Sequence, residues 1–140
     1  MTAADEPIPG RPGEASVYEA LGGVPFFERL VARFYAEVAA YPVLLRLYPE
    51  PDLAPAQRRL ALFLAQYWGG PTTYSEERGH PRLRARHFAF PIGPEERDHW
   101  LAAMRLALAE TAGGTGIALD LTAPLERYFE LAAEAMRNRE

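Results

Sequence analysis

The stretch from His80 to Phe88 contains the residues best suited to chemistry in this chain. It places an imidazole, His87, on a short helical segment among arginines, and an indole, Trp100, follows on the next helix. One imidazole nitrogen can ligate iron, and guanidinium groups can donate charge-assisted hydrogen bonds to porphyrin propionates. These residue types favour an iron porphyrin, provided that the rest of the chain builds a pocket around His87.

The three histidines have different surroundings in the sequence. His80 precedes a proline, which favours a cap or loop hydrogen bond, and His99 lies among charged residues that favour solvent. His87 is either structural, as a lone helical histidine usually is, or a metal ligand. No paired histidine–glutamate motif typical of zinc or di-iron sites is present, and Glu96 with His99 is a single pair. If a metal binds, haem with one protein nitrogen is therefore the simplest choice.

Composition limits the function classes. A chain of 140 residues with 49% hydrophobic residues is one domain with a real core, and its apolar runs are too short for a membrane span. The net charge of −4 argues against nucleic-acid binding. Without cysteine there is no disulfide, thiolate nucleophile or iron–sulfur cluster, and without lysine there is no Schiff-base chemistry. We expect a cytoplasmic protein.

The residue types predict an all-α fold. The chain has 24 Ala and 17 Leu against five Val and three Ile, and no segment alternates apolar and polar residues. Residues 1–14, with three Pro and two Gly, are expected to form a flexible tail before an ordered domain over 15–140. Ser16 and Glu19 form a capping box, and residues 69–79 and 112–116 are expected to be loops. Five or six helices with interruptions are predicted. The first ends at Gly22, longer ones run over about 25–40, 54–68, 94–111 and 121–138, and shorter helical pieces lie at about 42–47 and 80–88.

Three aromatic residues, Tyr35, Tyr48 and Trp100, lie in separate segments of the chain. Such residues are mostly core fillers with a polar tip, but they could also converge above a haem and donate hydrogen bonds. Arg58 and Arg59 are adjacent on one predicted helix and point in different directions, so only one of them can reach a cofactor edge.

Several motifs together resemble the truncated haemoglobins, most closely their second group. The resemblance runs from about Ser16 to Asn138 and implies a truncated two-over-two globin helical sandwich, of which glycine pairs after the first and fourth helices are a signature. The motifs are Leu21-Gly22-Gly23, Arg33-Phe34-Tyr35-Ala36, Tyr48-Pro49, Phe63-Leu64-x-x-Tyr67-Trp68-Gly69-Gly70-Pro71, Tyr74-Ser75-Glu76, Gly79-His80-Pro81-x-Leu83-Arg84-x-Arg86-His87 and Glu96-Arg97-Asp98-x-Trp100.

The resemblance implies roles for individual residues. His87 matches the proximal iron ligand, whereas Tyr35, Tyr48 and Trp100 match the distal residues that face a bound ligand. Ala56 matches the distal gate position, where many globins have a histidine. The further residues expected at the cofactor are Leu60 and Phe63 on the distal wall, Arg59 and Arg84 or Arg86 at the propionates, and Leu83 and Met104.

The function implied is binding of O2, and of other diatomics such as NO and CO, at a single pentacoordinate haem b (iron protoporphyrin IX) with slow release. The alternative is a haem redox enzyme, an NO dioxygenase or a peroxidase-like protein, that needs an external reductase. A haem-free helical scaffold ranks far below both. The resemblance leaves open whether the chain acts as carrier, scavenger or sensor, and whether it forms a homodimer.

Overall fold

Helices form all the regular structure of the computed structural model, which describes residues 16–113, 117 and 119–140. The predicted tail, residues 1–14, and part of the predicted loop over 112–116 lie outside them. Within the described residues there is no strand, and the all-α prediction is confirmed. The eight helices there are α1 Val17–Leu21, α2 Val24–Ala40, α3 Pro42–Leu45, α4 Ala54–Tyr67, α5 Thr73–Arg78, α6 Leu83–His87, α7 Pro94–Ala112 and α8 Leu119–Ala135.

Capping residues mark the two ends of α1 and the start of α7. The Ser16 hydroxyl accepts a hydrogen bond from the Glu19 amide at 3.1 Å, which caps α1 as predicted. Gly22 ends that helix with φ of 105°, a conformation that favours glycine. At the start of α7 the Gly93 amide donates to Glu96 Oε1 at 2.8 Å.

The long helices form two packed pairs. Helix α2 packs against α4, α7 packs against α8, and a contact between α2 and α7 joins the pairs. The buried face of α2 recurs at helical spacing and dominates the core. It consists of Phe26, Phe27, Leu30, Val31, Phe34, Tyr35 and Val38. Each fully buried side chain of this size contributes about 1.5–3 kcal/mol.

Helix α5 corrects the prediction of a loop over 69–79. Thr73–Arg78 is too short to show a helical period, and tertiary bonds hold it in place. The Ser75 amide donates to Gln66 Oε1 at 2.9 Å, and Gln66 Nε2 donates to the Ser75 hydroxyl at 2.7 Å. Helix α8, Leu119–Ala135, starts and ends earlier in the chain than the predicted helix over 121–138, and it contains Pro124.

A close backbone approach joins the end of α4 to α1. The Tyr18 amide donates to the Trp68 carbonyl at 3.0 Å. A Cβ atom on Gly70 would lie 2.6 Å from the Tyr18 ring and 2.8 Å from the Ala65 carbonyl oxygen, so glycine is required there. In the part of the chain that the structure describes, no helix has the length and apolarity needed to span a membrane.

Candidate functional site

A cavity of about 420 Å³ is lined by residues of α2, α4, α5, α6, α7 and α8 and of the segments 47–53 and 90–92. This volume is typical of a pocket for a small molecule or cofactor. About half of its lining residues have apolar side chains. The apolar set is Leu47, Pro49, Leu53, Ala56, Leu60, Phe63, Leu64, Leu83, Phe90, Ile92, Phe129, Ala132, Ala133 and Met136.

The cavity brings together most residues expected to touch a cofactor. The expected residues on its wall are Tyr35, Tyr48, Ala56, Arg59, Leu60, Phe63, Leu83, Arg86, His87 and Trp100.

Two expected cofactor residues, Arg84 and Met104, lie away from the cavity wall. Arg84 is exposed, because successive helical residues turn by about 100° and it lies on the other side of α6 from Arg86. Met104 is fully buried in the core one turn beyond Trp100.

His87 is oriented by its own helix. As the last residue of α6, it places Nδ1 2.6 Å from the Leu83 carbonyl oxygen. A carbonyl oxygen only accepts hydrogen bonds, so Nδ1 must carry the proton. In the neutral imidazole the remaining nitrogen, Nε2, then carries the lone pair, which is the form that ligates metals.

The other two histidines do not line the cavity. The Arg82 amide donates to His80 Nδ1 at 3.1 Å, so His80 makes the predicted loop hydrogen bond and supports the left-handed conformation of Arg82. His99 lies beside Tyr41, with 6.3 Å between ring centroids. All three histidines lie in the described part of the chain, and His87 is the one among them that lines the cavity.

Tyr35 and Tyr48 form an aromatic pair on the cavity wall. Their ring centroids are 5.5 Å apart and their planes are inclined at 74°. Burial raises the pKa of Tyr35 well above its ordinary value, reinforced by the Tyr48 hydroxyl and partly opposed by the charge of Arg59. Burial also raises the pKa of Tyr48, against a lowering by its interaction with Tyr35. Both hydroxyls therefore stay protonated and able to donate at neutral pH.

Trp100 is held by two phenyl rings. Its ring centroid lies 5.4 Å from that of Phe34 and 6.0 Å from that of Phe129, both in edge geometry. Trp100 lines the cavity, and no hydrogen bond to its indole Nε1 is found among the described residues. An indole nitrogen only donates, so Trp100 carries an unused donor on a ring that is packed on both sides.

Two adjacent arginines of α4 have different environments, as predicted. Arg58 forms a bidentate ion pair with Glu77 at 2.6 and 2.8 Å, away from the cavity. Arg59 lines the cavity and has no ion-pair partner among the described residues. Arg59 is therefore available for an anionic group at the cavity edge, as is Arg78, which also lines the cavity without an ion-pair partner among the described residues.

Arg86 lines the cavity, but its guanidinium is already engaged. It donates to the carbonyls of Pro81 at 2.5 Å, Arg78 at 2.9 Å and His80 at 3.1 Å. It also lies over the Tyr74 ring, 5.8 Å from the centroid. These contacts give Arg86 a structural role in the turn between α5 and α6.

Several cavity residues were not expected to contact a cofactor. They include Phe90 and Ile92, from the segment after α6, and Tyr128 and Phe129 of α8. Helical spacing marked Tyr128 and Phe129 as core residues, but the same spacing does not tell whether a buried side chain adjoins a cavity.

Comparison with known proteins identifies the family. A family model described as bacterial-like globin matches residues 16–130. The group 2 truncated haemoglobin YjbI of Bacillus subtilis is 41% identical over 122 residues, which make up 87% of this chain and 88% of that protein. A solved structure of a thermostable haemoglobin from the actinobacterium Thermobifida fusca has a TM-score of 0.84 and 56% identity, covering 89% of this chain and 98% of that one. An oxygen-avid truncated haemoglobin from Bacillus subtilis gives a TM-score of 0.80 and 40% identity, covering 89% and 100%.

These matches agree with the helical pairs and with the cavity around His87. The family model and the Bacillus subtilis relative each extend over most of the chain. Globins bind haem and diatomic gases, so family membership implies haem binding here. The chain belongs to the bacterial-like globins and, among them, to the group II truncated haemoglobins.

Proposed function

We propose that this protein binds O2, and other diatomics such as NO and CO, at a single pentacoordinate haem b (iron protoporphyrin IX), and releases the ligand slowly. The observation that carries the proposal is the hydrogen bond from His87 Nδ1 to the Leu83 carbonyl at 2.6 Å on the wall of the cavity. In the neutral imidazole this bond leaves the Nε2 lone pair available for iron, which supports His87 as the single protein ligand.

The remaining residues fit the same group. The apolar side chains of the wall suit a flat hydrocarbon macrocycle. Arg59, without an acidic partner among the described residues, suits a propionate at the cavity edge. Leu60, Phe63 and Leu83 supply apolar contacts, and Ala56 supplies a small side chain at the expected entry.

When bound, haem supplies a ferrous iron that takes up diatomic gases reversibly. The chain supplies the donors: the Tyr35 and Tyr48 hydroxyls and the Trp100 indole. Each donor contributes about 1 kcal/mol toward a ligand that gains negative charge, and more where water is excluded. Three such donors favour slow release, and the oxygen-avid relative from Bacillus subtilis is consistent with this direction.

A haem redox enzyme is the second candidate, either an NO dioxygenase or a peroxidase-like protein. It is favoured by a run of aromatic rings that starts at the cavity. Ring centroids are 6.0 Å apart for Trp100 and Phe129, 5.8 Å for Phe129 and Tyr128, and 4.2 Å for Tyr128 and Tyr67. The indole of Trp100 and the phenols of Tyr128 and Tyr67 are oxidisable and could supply electrons, and an external reductase would have to restore them for repeated turnover.

Kinetics on the haem-loaded protein separate the two functions. Stopped-flow mixing of the oxygenated protein with CO gives the rate of O2 release, and parallel assays with a reductase give NO consumption and peroxide turnover. Slow O2 release with little turnover supports the binding function. Sustained NO or peroxide turnover supports the enzyme instead, and a protein that takes up no haem contradicts both.

A further inference from the structure

The helix that carries His87 is weakly held by the core. Helix α6 has only five residues and none of them is buried. Residues 88–93 follow it without regular structure. Apolar packing therefore does little to fix the backbone of His87, and hydrogen bonds from elsewhere must do so.

Asn138 supplies those hydrogen bonds. Its side-chain Nδ2 donates to the Phe90 carbonyl at 2.8 Å and to the His87 carbonyl at 3.3 Å. Its Oδ1 accepts from the Ile92 amide at 2.9 Å. One primary amide thus satisfies three backbone groups in the segment that begins at the expected iron ligand.

The backbone around Asn138 is itself attached to the same segment. The amides of Asn138 and Arg139 both donate to the Ile92 carbonyl, at 2.8 and 3.0 Å. Just before it, Arg137 pairs with Glu134 of α8 at 3.2 Å, and Glu134 also pairs with Arg97 of α7. The backbone next to Asn138 is therefore linked to both α7 and α8, which fixes the position of its side-chain amide.

We propose that Asn138 is a positioning residue that sets the placement of the His87 imidazole in the cavity by holding the segment 87–92 to the segment after α8. The role is specific to an asparagine side chain. Aspartate has no donor for the two carbonyls, and alanine has neither donor nor acceptor. The inference rests on the proposed function, since it assumes that His87 ligates the haem iron.

The test compares Asn138→Asp and Asn138→Ala with the wild-type protein, each loaded with haem. Resonance Raman spectra of the ferrous form report the iron–histidine stretching band, and transfer to an excess of apomyoglobin reports haem loss. We expect a shifted band and haem loss about tenfold faster, as for partners that orient a metal ligand. Glu140→Ala is the matched control, because Glu140 is exposed two positions away and its side chain has no hydrogen bond or ion pair among the described residues, so it should match the wild type.

An iron–histidine band unchanged in both variants would overturn the proposal, even with faster haem loss, because general loosening would then explain that loss. If Asn138→Asp does not fold, Asn138→Ala carries the same test. Amide hydrogen exchange in the haem-free protein gives an independent reading: the Ile92 amide should exchange about fivefold faster or more in Asn138→Ala. Unchanged exchange would count against the proposal, whereas a wild-type protein that takes up no haem would contradict only the proposed function.

Discussion

The cavity is lined by three hydrogen-bond donors, Tyr35, Tyr48 and Trp100, which differ in how freely the donor group can turn. The Tyr35 and Tyr48 hydroxyls can rotate and interact with each other, which divides their donation between a ligand and the partner hydroxyl. The Trp100 indole can only donate, and Phe34 and Phe129 pack against it. At the residue scale, Trp100 should therefore slow ligand release more than either tyrosine does.

Trp100→Phe should raise the O2 release rate about tenfold or more, because it removes a donor worth roughly 1.4 kcal/mol while keeping most of the bulk. Tyr35→Phe should raise the rate less, since Trp100 and Tyr48 still donate. Stopped-flow displacement of O2 by CO measures both variants. Faster release from the Tyr35 variant than from the Trp100 variant would make the tyrosine the dominant donor and reverse this ranking.

The raised pKa of Tyr35 predicts how stability depends on alkaline pH. An unfolded tyrosine ionises near pH ~10, whereas burial keeps Tyr35 protonated in the folded state. Above that pH the unfolded state binds fewer protons than the folded state, so the free energy of unfolding falls as pH rises. Urea unfolding measures the free energy of unfolding at pH ~9 and ~11. The decrease between these two pH values should be smaller for Tyr35→Phe than for the wild type. Equal falls would mean that Tyr35 does not contribute to the alkaline loss.

At the scale of elements, α4 presents two neighbouring arginines to different surroundings. Arg59→Ala should speed haem loss about tenfold, in line with a charge-assisted hydrogen bond of about 1.5–3 kcal/mol to a propionate. Arg58→Ala is the matched control, because Arg58 instead pairs with exposed Glu77 and such pairs contribute about 0–1 kcal/mol. Haem transfer to apomyoglobin measures both rates. Equal haem loss from the two variants would remove Arg59 from the propionate site.

The junction of α1 with α4 depends on Gly70. Gly70→Ala should lower the free energy of unfolding by about 1–3 kcal/mol, because the new Cβ would overlap the Tyr18 ring and the Ala65 carbonyl. The same change in a Tyr18→Ala background should cost less, since the ring is gone. Urea denaturation of the four proteins gives the coupling. A cost that is independent of Tyr18 would refute the overlap as its cause.

Predictability from the sequence also differs among elements. The long helices were predictable because their buried faces recur over several turns, and Gly93 marks the start of α7. The short helix α1 was predictable because Ser16 and Gly22 mark its two ends. Helix α5 was not, since one buried residue, Tyr74, shows no period and its supporting bonds come from Gln66 on another helix. The role of Asn138 was likewise hidden, because its partners lie 46 to 51 positions away in the chain.

At the scale of the whole molecule, the cavity exists only because several helices meet around it. The sequence alone left open whether Tyr35, Tyr48 and Trp100 are core fillers or converge on one site. Motif resemblance favoured convergence, and all three line one cavity. Resemblance was less informative where the direction of a side chain decides its role. Arg84 turns to solvent and Met104 turns into the core, although their neighbours Arg86 and Trp100 reach the cavity wall.

The central claim is that His87 is the single protein ligand of the haem. The most direct measurement is the Soret absorption of haem-loaded His87→Ala beside His80→Ala and His99→Ala, the two histidines that do not line the cavity. We predict that His87→Ala loses the normal ligation spectrum and that added imidazole restores it, because the ligand is replaced within the cavity. The His80 and His99 variants should keep the wild-type spectrum. A wild-type Soret band in His87→Ala, without added imidazole, would contradict the account.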